Sequence, residues 1–154
     1  MDEALRNAIL ELLDEHRIMS IATLRADGWP QATTVGYAHE GLTLYFLCGR
    51  DSQKAANLAH DDRVSLTIDH DTPQVMEIAG LSMGARAHAV TDRLEAQKAM
   101  DLLFARYPEQ KSFPLPTPSV DDVCIVRVTP AVISILDYSK GFGHTDLVTC
   151  PASP

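Results

Sequence analysis

The sequence predicts a mainly β fold of the α+β class, an antiparallel barrel of six or seven strands with two or three flanking helices. Three observations carry this. Short runs in which apolar and polar residues alternate recur at hairpin spacing between Arg17 and Ile68. The longest alternation, within Val75 to Val90, puts Ala79, Leu81, Met83, Ala85, Ala87 and Ala89 on one face and Gly80, Ser82, Gly84, Arg86 and His88 on the other. Helical spacing is confined to three places, and no stretch combines parallel-type apolar strands with regular crossover helices.

Residues 2 to 16 form the first helical pattern, with Leu5, Ala8, Ile9, Leu12 and Leu13 on one face. A strand from Arg17 to Arg25 turns at Ala26-Asp27-Gly28 and returns from Gln31 to Ala38; His39-Glu40-Gly41 turns into the next strand, Leu42 to Cys48. Gly49 breaks that run. Asp51 or Ser52 is an N-cap residue type, so a short helix starts near position 52, followed by a strand from Arg63 to Ile68. After the long alternating segment, residues 92 to 107 return to helical spacing with Ala96, Ala99, Met100, Leu103 and Tyr107 on one stripe, and Pro108 ends them. The proline-rich stretch from Glu109 to Asp122 reads as a surface loop that could cover something. Two last strands, Val123 to Val128 and Val132 to Leu136, are separated by Thr129-Pro130, and the tail 137–154 shows no clear pattern.

A length of 154 residues fits one domain. The formal net charge of −8, with no Lys/Arg stripe, argues against a nucleic-acid partner. No apolar run approaches the ~20 residues that span a bilayer, and no basic amphipathic face argues for a membrane surface. The acidic start, Met-Asp-Glu-Ala-Leu-Arg, lacks the order of a secretion signal, and Cys48, Cys124 and Cys150 are odd in number and form no C-x-x-C pair. A cytoplasmic protein with reduced thiols is the expectation, Cys48 being a small apolar wall residue at the end of its strand.

Lys54 is the most informative residue. It falls in the first turn of the helix that follows Leu42–Cys48, four residues after Arg50, in an otherwise acidic chain. A helix N-terminus offers free N–H groups and the positive end of the macrodipole, so two added cations there favour a bound phosphate. The same residues also fit a surface helix start neutralised by Asp51, Asp61 or Asp62. The order of elements bears on the choice. The strand, the turn Gly49-Arg50-Asp51-Ser52-Gln53-Lys54, the helix Ala55-Ala56-Asn57-Leu58 and the strand Asp61-Asp62-Arg63-Val64-Ser65-Leu66 together resemble the flavin-binding split barrels of the pyridoxamine 5'-phosphate oxidase-like family. Ile18 to Leu24, Asp27-Gly28, Pro30 and Gln31 to Tyr37 fit the family's first hairpin, and Gly84-Ala85-Arg86-Ala87 with Val90 and Asp92 fits its long central strand. The resemblance runs from about Ile18 to Asp137.

That resemblance implies a split barrel that binds flavin mononucleotide (FMN), and an oxidoreductase in which flavin moves a hydride or electrons to or from a small molecule. It implies phosphate ligands at Ser52, Gln53 and Lys54, with Arg50 compensating for a Gln53 that is often Arg or Lys in the family. It also implies a ring contact along Thr33, Thr34, Val35, Gly36 and Tyr37, and a further contact pair at Leu47 and Cys48. By pattern alone Gly36 reads as a bulge and the threonines as β-formers. Lys140 and Phe142 of the tail could fold over a flavin edge, that of a neighbouring subunit included, since family members are usually homodimers with the cofactor at the interface. A basic R-L-x-P-type C-terminus is not present, which argues against pyridoxamine-phosphate oxidase activity itself.

Two alternatives stand beside it. One is a non-catalytic flavin or haem binder, since some split-barrel relatives bind haem; His88 or His144 would be the axial ligand. The other is a reductase using the deazaflavin coenzyme. No catalytic acid–base pair is visible, the six histidines show no metal-ligand spacing, and no metal site is expected. Gly80-Leu81-Ser82-Met83-Gly84 matches the nucleophile-elbow pattern formally, but the alternation runs through it unbroken, and an elbow needs strand, turn and helix.

Overall fold

A computed structural model describes residues 1–112, 116 and 118–152. Helix α1, Glu3–Glu15, starts at Asp2, whose carboxylate accepts hydrogen bonds from the N–H groups of Ala4 (2.8 Å) and Leu5 (3.2 Å). Strands β1, Ile18–Leu24, and β2, Pro30–Gly36, form the first hairpin. Gly28 takes the left-handed φ of 88° in its turn, and the Asp27 carboxylate accepts the Trp29 N–H at 3.1 Å. A three-residue strand β3, Ala38–Glu40, pairs with β4, Thr43–Gly49. Helix α2, Gln53–His60, begins at Ser52, and β5 covers Arg63–Asp69.

Beyond Ile68 the observed elements differ from expectation in four places. The long alternating segment opens with a 3-10 turn at Val75–Glu77, so β6 is Ala79–Ala89. Helix α3, Arg93–Arg106, is followed by a 3-10 turn at Pro108–Ser112; the loop expected over 109–122 otherwise falls partly on residues 113–115 and 117, outside those described. The two expected last strands are one, β7, Val123–Asp137, which passes straight through Pro130. Its register with β6 shifts between Gly84 and Ala85: Gly84 faces Val132 while Ala85 faces Pro130, so Ala131 is the extra residue of a bulge. A bulge is where a strand tolerates a residue without an N–H. The tail is also structured. A 3-10 turn at Tyr138–Lys140 leads into β8, Thr145–Thr149, which pairs with the second half of β7.

All strands belong to one antiparallel sheet of order β2-β1-β5-β6-β7-β4-β3, with β8 on β7. β2 and β3 are the two ends of that path, yet only Tyr37 separates them in sequence. The sheet therefore curls until its ends meet, giving a half-barrel. Its interior is filled by Met19, Ile21, Phe46, Leu66, Met83 and Val126 among others, and α1 inserts Ile9 and Leu13 into the same cluster. Tyr37 is fully buried there and its hydroxyl donates to the Leu13 carbonyl at 2.8 Å, tying the link to the end of α1. Burial pushes the Tyr37 phenol well above its ordinary range, so it remains a neutral donor.

Two polar clusters fix the helices. On the outer face, α3 packs Ala96, Ala99 and Met100 against Tyr45 and Ile125. Glu95, held below the usual carboxylate range chiefly by its Arg127 hydrogen bonds, also accepts from the Tyr45 hydroxyl at 3.0 Å. On the other side Asn57 of α2 is 1% exposed. Its Nδ2 donates to Thr23 Oγ1 (3.0 Å) and Gln31 Oε1 (3.1 Å), and its Oδ1 accepts from Gln53 Nε2 (2.8 Å). This one amide locks α2 to the β1–β2 hairpin. Replacing it would leave Thr23 buried without its partner. Asn57→Ala should cost about 1–3 kcal/mol, read as a lowered urea midpoint, whereas an exposed Gln97→Ala control should shift it by less than about 0.5 kcal/mol.

Candidate functional site

The turn between β4 and α2 is built by Ser52. Its Oγ accepts the Ala55 N–H at 3.2 Å and donates to the Gly49 carbonyl at 2.7 Å, which fixes the strand exit and the helix start together. The N–H groups of Gln53 and Lys54 precede the first intrahelical bond, made by Ala56 N–H to the Ser52 carbonyl at 3.1 Å. Side chains in a first turn lean toward the helix N-terminus. The Lys54 ammonium lies 5.9 Å from the Phe46 ring centroid, and the residue is half-buried. Most lysines and arginines of the chain lie within 4.0 Å of a carboxylate. Among the described residues, Lys54 has no such partner.

The other phosphate ligands expected from sequence are placed differently. Gln53 is turned along the helix to Asn57. Arg50 leaves the helix end altogether: its Nε donates to the Asp121 carbonyl at 2.8 Å and its Nη2 to the Val120 carbonyl at 3.4 Å, so it secures the turn before β7. Ser52 is committed as well, since both its hydroxyl and its N–H donate to the Gly49 carbonyl, so an anion at this point would meet the Lys54 ammonium and the free N–H groups of Gln53 and Lys54.

The expected ring contacts also divide. Val35, Gly36 and Leu47 line one cavity of about 250 Å³, closed on its far side by Leu103, Phe104 and Tyr107 from the end of α3. Gly36 does admit a ring, but that ring is Tyr107: a Cβ on Gly36 would lie 2.8 Å from the Tyr107 hydroxyl. The same hydroxyl donates to the Arg17 carbonyl, and the Arg17 guanidinium sits 5.1 Å from the Tyr107 ring centroid. Thr33 Oγ1 is buried with no hydrogen-bond partner among the described residues, and Thr34 is exposed. The Tyr37 side chain belongs to the barrel interior and is not available to a ligand at the surface. Cys48 is buried, directly opposite Cys124 in the β4–β7 ladder.

Lys140 and Phe142 lie elsewhere. They follow the C-terminal end of β7, whereas Cys48 faces Cys124 near its N-terminal end. The thirteen intervening residues would span roughly 40 Å of straight strand, less where the bulge bends it. Lys140 pairs with Asp146 at 3.6 Å, and Phe142 is 77% exposed beside Tyr138. One chain alone does not bring them to the β4–α2 turn.

Of the histidines singled out, His144 Nε2 is bonded to Asp146 at 3.0 Å, and His88 Nε2 to Asp62 at 2.8 Å beside Arg86. His88, Arg86 and Arg127 line a cavity of about 610 Å³ with Thr43 and Cys150. Among the described residues no group of three or more His, Cys, Asp or Glu side chains is placed to hold a metal ion, and no helix is long and apolar enough to cross a membrane. Ser82 sits in mid-strand, paired with Thr67 on one side and Ser134 on the other, so there is no nucleophile elbow.

Two residues of the site were not singled out for it from sequence. Tyr107 was legible only as part of the apolar stripe of α3. Asn57 carried a readable signal, a lone amide between Ala56 and Leu58 one helical turn beyond Gln53.

Comparison with known proteins agrees with this architecture. The pyridoxamine 5'-phosphate oxidase family model matches residues 5–136. General stress protein 26 of Bacillus subtilis (strain 168) is 24% identical over 98 residues, 61% of this chain and 69% of that protein. Among solved structures, a haem binding protein from Mycobacterium smegmatis superposes with a TM-score of 0.75 at 19% identity, over 97% of this chain and 59% of that one. HutZ, the haem storage protein of Vibrio cholerae, gives 0.64 at 21%, over 82% and 89%. At such identities the superpositions establish the shared fold alone. The family match covers most of the chain, from within α1 to the end of β7, and the protein belongs to the pyridoxamine 5'-phosphate oxidase family.

Proposed function

We propose that the chain binds FMN and acts as a flavin-dependent oxidoreductase on a small molecule. The observation that carries this is Lys54, a half-buried cation at a capped helix N-terminus with no carboxylate within 4.0 Å among the described residues. Leaving a cation unpaired there is costly unless an anion meets it. The residues present suit the anionic end of FMN well. They suit the ring end in part: Val35, Gly36 and Leu47 offer an apolar wall, but Tyr107 occupies some of the slot, and about 250 Å³ is below the ~300 Å³ at which ligand pockets usually begin.

In this reading Lys54 and the free N–H groups of Gln53 and Lys54 hold the phosphate, with Ser52 fixing the turn that presents them. Val35 and Leu47 exclude water from one ring face, and Tyr107 yields its place over Gly36. Flavin, when bound, supplies hydride or single-electron transfer, so no side chain need act as acid or base. Turnover with a reduced nicotinamide and an electron acceptor would distinguish an enzyme from a carrier. The spectrum of the bound cofactor would distinguish FMN from a deazaflavin.

Titrations followed by flavin fluorescence test the two ends separately. Lys54→Glu should weaken FMN at least ~10-fold, about 1.4 kcal/mol, while leaving riboflavin, which has no phosphate, unchanged. Tyr107→Ala should strengthen both ligands. Equal FMN affinity in Lys54→Glu and the parent would refute the phosphate assignment.

We also propose a homodimer, because Phe142 and Lys140 can approach a flavin at the β4–α2 turn only from a second copy. Native mass spectrometry should show two chains, with Phe142→Ala lowering FMN affinity; a monomer that binds FMN normally would exclude the tail from the site.

One observation favours a second reading. The cavity of about 610 Å³ beside His88 is the roomier one, and Arg86 and Arg127 could meet the carboxylates of haem. The carboxylate on His88 Nε2 orients the ring as such partners do for metal-ligating histidines. Hemin titration should then give a Soret band that His88→Ala abolishes. A band unchanged by that substitution removes His88 as the ligand.

A further inference from the structure

Two of the three cysteines stand face to face. Cys48 of β4 and Cys124 of β7 are direct register partners, and both are free thiols. Directly opposed residues of an antiparallel pair hold their Cα atoms about 4.5–5.5 Å apart, inside the roughly 4.4–6.8 Å that a disulfide bridges. Cys48 is 8% exposed and packs in the barrel interior, whereas Cys124 lines a cavity of about 440 Å³ with Arg50, Val120 and Val123.

The surroundings divide one proton unequally between them. The Cys124 thiol facing it across the ladder is the largest influence on Cys48 and holds it below the ordinary thiol range, with Ser52 and Lys54 adding to the effect against burial. The same pairing, with burial, pushes Cys124 up. A thiolate beside a thiol is the arrangement from which disulfides form.

We propose that Cys48 and Cys124 are a redox site, a dithiol that reduces hydrogen peroxide and closes into a reversible disulfide between β4 and β7. The Cys48 sulfur attacks one peroxide oxygen, so that an S–O bond forms and the O–O bond breaks. The departing hydroxide takes a proton and leaves as water. The Cys124 sulfur then attacks the Cys48 sulfur: the S–S bond forms, the S–O bond breaks, and hydroxide leaves with the Cys124 proton as a second water. The dithiol loses two electrons and two protons, and the peroxide becomes two waters. A small dithiol reductant reopens the bridge by exchange. The near-complete burial of Cys48 selects for an oxidant of about the size of water over a bulky disulfide. None of this depends on a bound flavin.

Treating the reduced, cofactor-free wild-type chain with stoichiometric hydrogen peroxide should give a monomer about 2 Da lighter, with Cys48 and Cys124 in one linked peptide and the mass restored by dithiothreitol. In Cys124→Ser the closure is impossible, and the Cys48 peptide should instead gain one oxygen, about 16 Da, as a sulfenic acid. Lys54→Gln should slow the peroxide oxidation of Cys48 at neutral pH several-fold, because the cation beside the thiolate is gone. The proposal is overturned if both thiols survive peroxide that oxidises the urea-unfolded chain. It is equally overturned if the linked peptide joins Cys150, or if Cys48 gains oxygen with no bridge while Cys124 is intact. The wild-type measurement stands even if a variant fails to fold.

Discussion

Tyr37 is the link on which the architecture depends. It is the single residue between β2 and β3, the two ends of a seven-strand path, and a sheet whose ends are so joined cannot stay open. Burying its ring and bonding its hydroxyl to the Leu13 carbonyl ties that closure to α1, whose Ile9 and Leu13 fill the interior. Closure also makes the site. β2 and β4 lie far apart along the hydrogen-bonded path, and only the curl brings Val35 and Gly36 to Leu47. The cavity at that seam is a consequence of topology before it is a matter of side chains.

Charge is then distributed over this frame unevenly. Most cations on the surface meet a carboxylate, and the Asp62–Arg86–His88 and Glu95–Arg127–Tyr45 groups even share one. Exposed pairs of this kind add little stability. Against them Lys54 stands at the α2 N-terminus with no carboxylate within 4.0 Å among the described residues, within a chain of net charge −8. Asn57 matters here as well, because it sets where the first turn of α2 sits relative to β1 and β2, and hence where Lys54 can reach.

What could be read from sequence, and what could not, follows from the range of each interaction. Period-two alternation and capping residues are local, so β1, β4, β5 and the start of α2 at Ser52 were legible within a residue or two, and β6 at its C-terminal end. Pro130 misled because a proline ends a regular strand, whereas the bulge opposite Ala85 that admits it depends on β6, some forty-five residues earlier. β8 was hidden because its pattern, Thr145-Asp146-Leu147-Val148-Thr149, buries only Val148, and its partner is the far half of β7. Arg50 sits four residues from Lys54, yet the acceptors that claim it are carbonyls of residues 120 and 121. Gly36 was expected to admit a flavin ring, and in the structure the ring beside it is that of Tyr107. Which ring could not be known without the position of Tyr107, some seventy residues on.

Lys54 connects the two proposed activities. A thiolate on Cys48 and a phosphate at the α2 N-terminus are both anions drawing on the same ammonium, so each weakens the hold on the other. Closing the Cys48–Cys124 bridge removes the thiolate charge and returns the full positive field of Lys54 to the phosphate. Linkage requires the converse with the same free energy: an occupied phosphate site raises the cost of the Cys48 thiolate and shifts the dithiol–disulfide equilibrium toward the disulfide. The coupling has a definite sign, tighter anion binding in the disulfide form. Its size is bounded by the geometry, because a half-buried ammonium is screened by solvent more than a fully buried one. A site so arranged would hold its cofactor most firmly under oxidising conditions, and it would do so through one lysine with no change of fold.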